Sequence, residues 1–353
     1  MLLNTNTSNR NKNRMNIKTL VSSTVVFSIL TVSSIAAVQA ASDDSVTVYS
    51  SRKEHLIKPL FEAFTKDTGI KVEYLTGKGG ALIERLKLEG ASTQADMFMT
   101  VDAGNLWYAG SQGLFQTVQT ETLKSNIPSY LRDPDGLWTG LSVRARTIVY
   151  STDRVKPDDL STYEDLASDK WKGKLCLRTS KKIYTKSLAA SVIYNHGEDK
   201  AGNIISGWVS NLAATPNAKD SHVMNAILAG QCDVGLVNTY YFGRLIAKNP
   251  NAPLKLFWAN QDTTGVHVNV SGAGVTKYAT NVEGATKLLE WLSSAEAQAI
   301  YGSLNKEYPA NQNIASDDIV SAWGSFKQDD MNLSKAGILQ AKAVKLMQIK
   351  GYK

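Results

Sequence analysis

Cysteine and histidine are scarce in this chain, which holds two of the first and four of the second in 353 residues. His55, His196, His222 and His267 show no His-x-x-x-His spacing, and two cysteines are too few for the usual zinc clusters, so no zinc site is expected. No basic run exceeds Lys181-Lys182, which argues against a nucleic-acid partner. A Gly-x-Ser-x-Gly elbow and a Gly-Lys-Ser/Thr phosphate loop are missing too, and Gly77-Lys-Gly-Gly80 reads as a flexible turn between strand and helix. The tryptophans are scattered, without the clustering of a sugar or quaternary-amine cage.

One long apolar run is present, from Leu20 to Val38. It follows Arg10, Lys12, Arg14 and Lys18, with no acidic residue before it, and closes in Val38-Gln-Ala40. This is the three-part pattern of a signal peptide over 1–40, with a retained membrane anchor as the alternative. Removing those four basic residues lowers the formal charge from +7 to +3, so the exported protein is only mildly basic. The remainder, about 310 residues, suits one large or two medium α/β domains. In an exported protein the pair Cys176 and Cys232 reads as a disulfide, with two buried thiols as the alternative.

Val46–Ser50, Lys71–Leu75 and Ala95–Met99 read as strands separated by helical patterns, with helix stops at Gly69 and Gly90. That order predicts a parallel sheet flanked by helices. Further on, Leu141–Ser151 reads as a strand around Arg144 and Arg146, passing from one domain to another. Leu175–Arg178 and Cys232–Val237 read as buried strands. Lys186–His196, Ala201–Leu212, Val223–Ala229 and Tyr241–Lys248 read as helices, and His267–Val270 with Ala273-Gly-Val275 suggests a strand returning to the first domain.

Asn238-Thr-Tyr-Tyr241 is the most informative stretch. It sits where a buried strand opens into a helix, and ligand sites in open α/β folds gather at the carboxyl ends of strands. Two adjacent tyrosines can converge only where the chain leaves the strand. Phenolate oxygen is a hard anionic donor suited to ferric iron, and its binding requires proton loss from a group of pKa about 10. Half-buried packing is the plain alternative for such a pair.

With these stretches in place, the chain from Val46 to Asn313 resembles the ferric-iron-binding proteins of bacterial ABC transporters, a transferrin-like branch of the periplasmic binding proteins. The resemblance is carried by Val48-Tyr-Ser-Ser-Arg52, Gly90-Ala-Ser-Thr-Gln-Ala-Asp96, Thr100-Val-Asp-Ala-Gly104, Val143-Arg-Ala-Arg146, Trp171-Lys-Gly173, Ser221-His222 and Val237-Asn-Thr-Tyr-Tyr241. It implies a two-lobed α/β fold of mixed, mostly parallel sheets with the cleft between the lobes. The first lobe would be 42–142 with 268–318, and the second 143–267 with 319–353. It implies a monomeric, non-enzymatic periplasmic protein that hands its cargo to a membrane permease. Tyr240 and Tyr241 take the place of the family's paired iron-binding tyrosines, and Tyr184 that of a third phenolate.

One departure stands out, because relatives often carry His or His-Tyr where this chain has Lys53-Glu54, with His55 beside them. Glu54 and His55 are therefore the candidate first-lobe donors, with water or a synergistic anion such as carbonate as the other way to complete the ferric shell. Arg52 and Arg144, or Arg146, are the natural partners of such an anion, since a guanidinium presents forked donors to a planar oxyanion. Rival readings keep the fold and change the cargo to a polyamine, thiamine or an inorganic anion, or make the protein an exported enzyme. The enzyme reading finds no nucleophile and base pair in the sequence.

Overall fold

The strand that opens the sheet, β1 (Ser45–Ser50), carries a buried valine at every second position, Val46 and Val48. In the helix after it, α1 (Glu54–Thr68), Leu56, Ile57, Leu60, Phe61 and Phe64 recur at helical spacing and are all buried. Gly69 ends α1 with φ 78°, a conformation in which a side chain would be strained. The computed structural model describes residues 45–353, so the leader and its cleavage site at 1–40 lie outside the described residues.

Next come β2 (Lys71–Thr76), α2 (Gly79–Glu89), β3 (Met97–Thr100), α3 (Ala103–Ser111) and α4 (Glu121–Asn126). β1 pairs parallel with β2 and with β3, as the strand and helix order predicts. The 13-residue strand β4 (Thr139–Ser151) is buried at every position. It is followed by β5 (Leu175–Cys176), α5 (Ile183–Ser210), α6 (Asp220–Leu228), β6 (Val234–Asn238), α7 (Thr239–Lys248), β7 (Leu254–Phe257) and β8 (Val268–Val275). α5 breaks at Gly197, φ 75°, between the two helices read from the sequence. The chain finishes with α8 (Val282–Leu292), α9 (Ala295–Asn305), β9 (Tyr308–Pro309), α10 (Asp318–Ser321) and α11 (Leu333–Ile349).

The strands run in the order β2-β1-β3-β8-β4-β6-β5, with β7 and β9 also on β4. The sheet is mixed, but the expectation that it is mostly parallel is corrected. The pairings β3 with β8 and β4 with β6, β7, β8 and β9 are antiparallel, and only β1–β2, β1–β3 and β5–β6 are parallel. β8 returns from far along the sequence, so no βαβ crossover fixes its direction. β4 is the shared member: its first half pairs with β8 and its second half with β6 and β7. The tail, for which no helix was read, forms α11 and packs on α5 and α3. Gly337 lets α11 approach closely, since a Cβ there would meet Trp107 at 2.5 Å.

Candidate metal site

β6 ends at Asn238 and α7 starts at Thr239, so Tyr240 and Tyr241 leave the strand together in the first turn of a helix. Freed from strand alternation, their rings come to 4.5 Å between centroids. Tyr184, in the first turn of α5, shares one cation with Tyr241. The Arg178 guanidinium lies 5.0 Å from the Tyr184 ring and 5.7 Å from the Tyr241 ring. All three tyrosines line one cavity of about 460 Å³. A larger, apolar cavity of about 560 Å³ lies against Phe242, Ile246 and Trp323, but no tyrosine or arginine lines it.

Two features fix the backbone beneath the tyrosines. Cys176 of β5 is disulfide-bonded to Cys232, just before β6, with Cα atoms 5.9 Å apart. That is the pairing expected from the sequence. Asp220, fully buried at the start of α6, accepts from Arg146 Nη1 at 3.1 Å and from the backbone N–H of Asn238 at 3.0 Å, and ion-pairs with Arg178 at 3.3 Å. Asn238 Nδ2 in turn donates to the Tyr240 hydroxyl at 3.3 Å. α6 can approach this closely because β6 carries Gly235, where a Cβ would meet Val223 at 2.5 Å. The chain's last residues tie in as well: the Tyr352 hydroxyl donates to the Arg178 carbonyl at 2.8 Å, and Ser180 N–H to the Lys353 carbonyl at 2.9 Å.

Burial pushes the phenol pKa of Tyr184 up, and Arg144 opposes it only in part. Burial also raises Tyr240, reinforced by repulsion from Tyr184 and Tyr241. These phenols keep their protons at neutral pH unless a cation drives them off, and three phenolates around one hard cation is what the arrangement can provide. Among the described residues no three His, Cys, Asp or Glu side chains converge to hold a metal.

The arginines read from the sequence take different places. Arg52 and Arg144 line the cavity, but much of their donor capacity is spent within the protein. Arg52 bonds Glu307 at 3.0 Å and the hydroxyls of Ser142 and Ser271. Arg144 reaches the Val101 carbonyl and the Ser271 hydroxyl, and lies 3.9 Å from Asp102. Burial by itself would raise Glu307, yet Arg52 and Arg144 outweigh it and hold that carboxyl low. Arg146 is not brought to this cavity, because Asp220, Asn238 and the Leu236 carbonyl take its donors. Glu54 and His55 are exposed and do not line the cavity either, and Glu54 accepts instead from the Tyr74 hydroxyl at 3.1 Å.

Several lining residues escaped the sequence reading, namely Arg178, Lys182, Lys219, Arg244, Asn305 and Glu307. Arg244 stacks 5.0 Å from the Tyr240 ring and 5.6 Å from Tyr241, and it reaches Asn305. Its position four residues after Tyr240 on one helix is a signal that could have found it. Arg178, at the carboxyl end of a buried strand, carried the other usable signal.

A model of bacterial extracellular solute-binding proteins matches residues 49–299. Iron uptake protein A1 of Synechocystis is 43% identical over 314 residues, covering 87% of each chain. A Trichodesmium structure, described as IdiA (FutA) in complex with iron and citrate ligands, superposes with TM-score 0.84 at 46% identity, covering 88% of this chain and 100% of that one. The ferric binding protein of Campylobacter jejuni follows at TM-score 0.81 and 34% identity, over 87% of this chain and 100% of that one. These neighbours share the two-lobed periplasmic binding fold. The chain belongs to the bacterial extracellular solute-binding proteins.

Proposed function

We propose that this protein is the extracytoplasmic solute-binding component of an ABC-type iron uptake system, and that it holds ferric iron through the phenolates of Tyr184, Tyr240 and Tyr241. The single observation that carries the reading is the meeting of these three tyrosines in one cavity at the starts of two helices. The relatives named for iron uptake and ferric iron binding support the cargo. The protein is exported through the leader at 1–40 and acts as a monomer. Its lobes are 42–142 with 268–318 and 143–267 with 319–353, which close on the ion by a hinge and present it to a membrane permease without chemical change.

Three phenolates neutralise Fe³⁺ and leave half of an octahedral shell open. A bidentate oxyanion such as carbonate takes two of the three open positions and water the third, with Arg144 beside the anion. The test is the phenolate-to-iron charge-transfer band. Wild type titrated with ferric iron and hydrogencarbonate turns orange-red, while the Tyr240→Phe/Tyr241→Phe double variant keeps its fold, loses the band and binds iron at least about a hundredfold more weakly, a difference of about 2.7 kcal/mol. An unchanged band and affinity in the double variant overturn the assignment.

A further inference from the structure

Residues 331–353 hold five lysines and no acidic residue. On α11, lysine shares a face with isoleucine: Lys335, Ile338, Lys342, Lys345 and Ile349 recur at alternating spacings of three and four, which aligns them in one stripe. The stripe turns away from the core. Its three lysines are exposed, and so are Ile338 at 51% and Ile349 at 65%. The opposite face is already occupied, since Leu333, Ala336, Ala343 and Leu346 are buried and α11 packs on α5 and α3. α11 thus carries apolar side chains on two sides, and the fold accounts for one.

A groove of about 550 Å³ lies where the end of α11 meets the start of α5, lined by Val344 and Met347 and by Lys181, Lys186 and Lys353. With Lys350, the helix, its tail and the groove hold seven lysines. Among the described residues one of them is ion-paired, Lys342 with Glu198 at 3.1 Å, and both partners are about half exposed, so the pair contributes little. Lys342 and Lys345 stand one turn apart and repel each other. Without the seven lysines the formal charge of residues 41–353 falls from +3 to −4. The positive excess of the exported chain is therefore gathered here, and a charge so gathered calls for a negative surface opposite it.

We infer that the outer face of α11 and the groove beside it lie on a bilayer surface rich in anionic phospholipid, with the lysines against the phosphates and Ile338 and Ile349 seated among the headgroups. The stripe from Lys335 to Ile349 runs about 21 Å along one straight helix, a shape that suits a flat surface. Lysine stems cover apolar surface while the ammonium reaches a phosphate in any orientation. An acidic protein partner fits less well, because protein interfaces concentrate arginine and aromatic side chains and are depleted in lysine, whereas the stripe holds lysine and isoleucine alone. Two isoleucines insert little apolar area, so the attachment rests mainly on charge and is reversible and salt-sensitive. No residue lines both this groove and the tyrosine cavity, so the attachment does not depend on the cargo.

The experiment sediments the exported chain, residues 41–353, with vesicles of phosphatidylcholine containing about 30% phosphatidylglycerol and with vesicles of phosphatidylcholine alone, at low salt and at about 0.5 M salt. Wild type should bind the anionic vesicles at least about tenfold better than the neutral ones, and salt should release it. The K335Q/K342Q/K345Q variant should bind at least about tenfold more weakly, and I338S/I349S severalfold more weakly. K66Q/K71Q/K277Q, which removes the same charge from exposed positions elsewhere, should bind as wild type does. Circular dichroism checks the fold of each variant, and the single substitution K345Q, expected to weaken binding severalfold, keeps the test decisive if a triple variant does not fold. Equal binding of wild type to both kinds of vesicle, or equal losses in the two lysine triple variants, overturns the inference. Failure to bind anionic vesicles alongside tight binding to polyglutamate overturns it too, and gives the face to an acidic protein.

Discussion

The two walls of the cavity are built differently. The wall made by β5, α5, α6, β6 and α7 supplies every tyrosine, and its buried acid, Asp220, lies behind the surface and serves two arginines at once. The wall made by β1, α1 and the end of α9 supplies no tyrosine. Its acid, Glu307, faces the cavity and serves Arg52. The proposed metal donors are therefore concentrated on one wall, and the other contributes charge that is already balanced, apart from Lys53. A cargo held only from one side needs something else to draw the second side in.

The largest expected effect tests the anchoring of the tyrosine wall. Asp220→Asn should cost about 3–5 kcal/mol of stability, as for a buried ion pair that loses one partner, because two buried guanidiniums lose their counter-charge. Glu307→Gln should cost less, since Ser142 and Ser271 still accept from Arg52. Urea melts of the two variants compare the walls directly, and equal losses would remove the asymmetry. Next in size is the disulfide. Cys176→Ala/Cys232→Ala should lower stability by about 2–4 kcal/mol, and differential hydrogen exchange should localise the loosening to β5 and β6 while α1 and β2 stay protected.

A third prediction concerns His267, which sits buried just before β8 and feels the charges of Arg146 and Arg144. Burial, then Arg146 and Arg144, push its pKa from the ordinary value of 6.5 down to about 3. The unfolded chain thus binds a proton that the native chain refuses. The stability this group contributes is fully present above pH 6.5 and is lost as pH falls toward 3, at up to about 1.4 kcal/mol per pH unit. Thermal melts across that window should show a flatter acid limb for His267→Gln than for wild type. The smallest effect sharpens the comparison from the poorer wall: Lys53→His supplies a neutral nitrogen donor there. It should raise affinity for ferric iron loaded with hydrogencarbonate by up to about tenfold, roughly 1.4 kcal/mol, measured by competition with a chelator.

Sequence legibility followed the same division. Tyr240 and Tyr241 were readable because both causes of their convergence, a buried strand and a helix start, are local. The disulfide was readable because an exported chain with two cysteines offers one pairing. Lys182, Lys219 and Glu307 were not, since only the sheet's crossovers bring three distant segments to one place. Arg144 and Arg146 share a face of β4 and looked interchangeable. What separates them is Asp220, 74 residues beyond Arg146 and engaged with it. β8 misled the sheet reading because nothing in its own residues records its direction. α11 went unread because its buried face mixes Leu333, Leu346 and Met347 with the small residues Ser334, Ala336, Gly337 and Ala343, a pattern that announces itself weakly.

The hydrogen bonds from Tyr352 and to Lys353 have a practical meaning for anyone preparing this protein. They hold the segment Arg178–Ser180, which carries one of the guanidiniums between the tyrosines, so the carboxyl end is in effect a remote piece of the cavity wall. A purification tag joined after Lys353 leaves both bonds available. Carboxypeptidase trimming by two residues removes them, and a sample nicked in that way would be mistaken for an intact protein with a poor metal site.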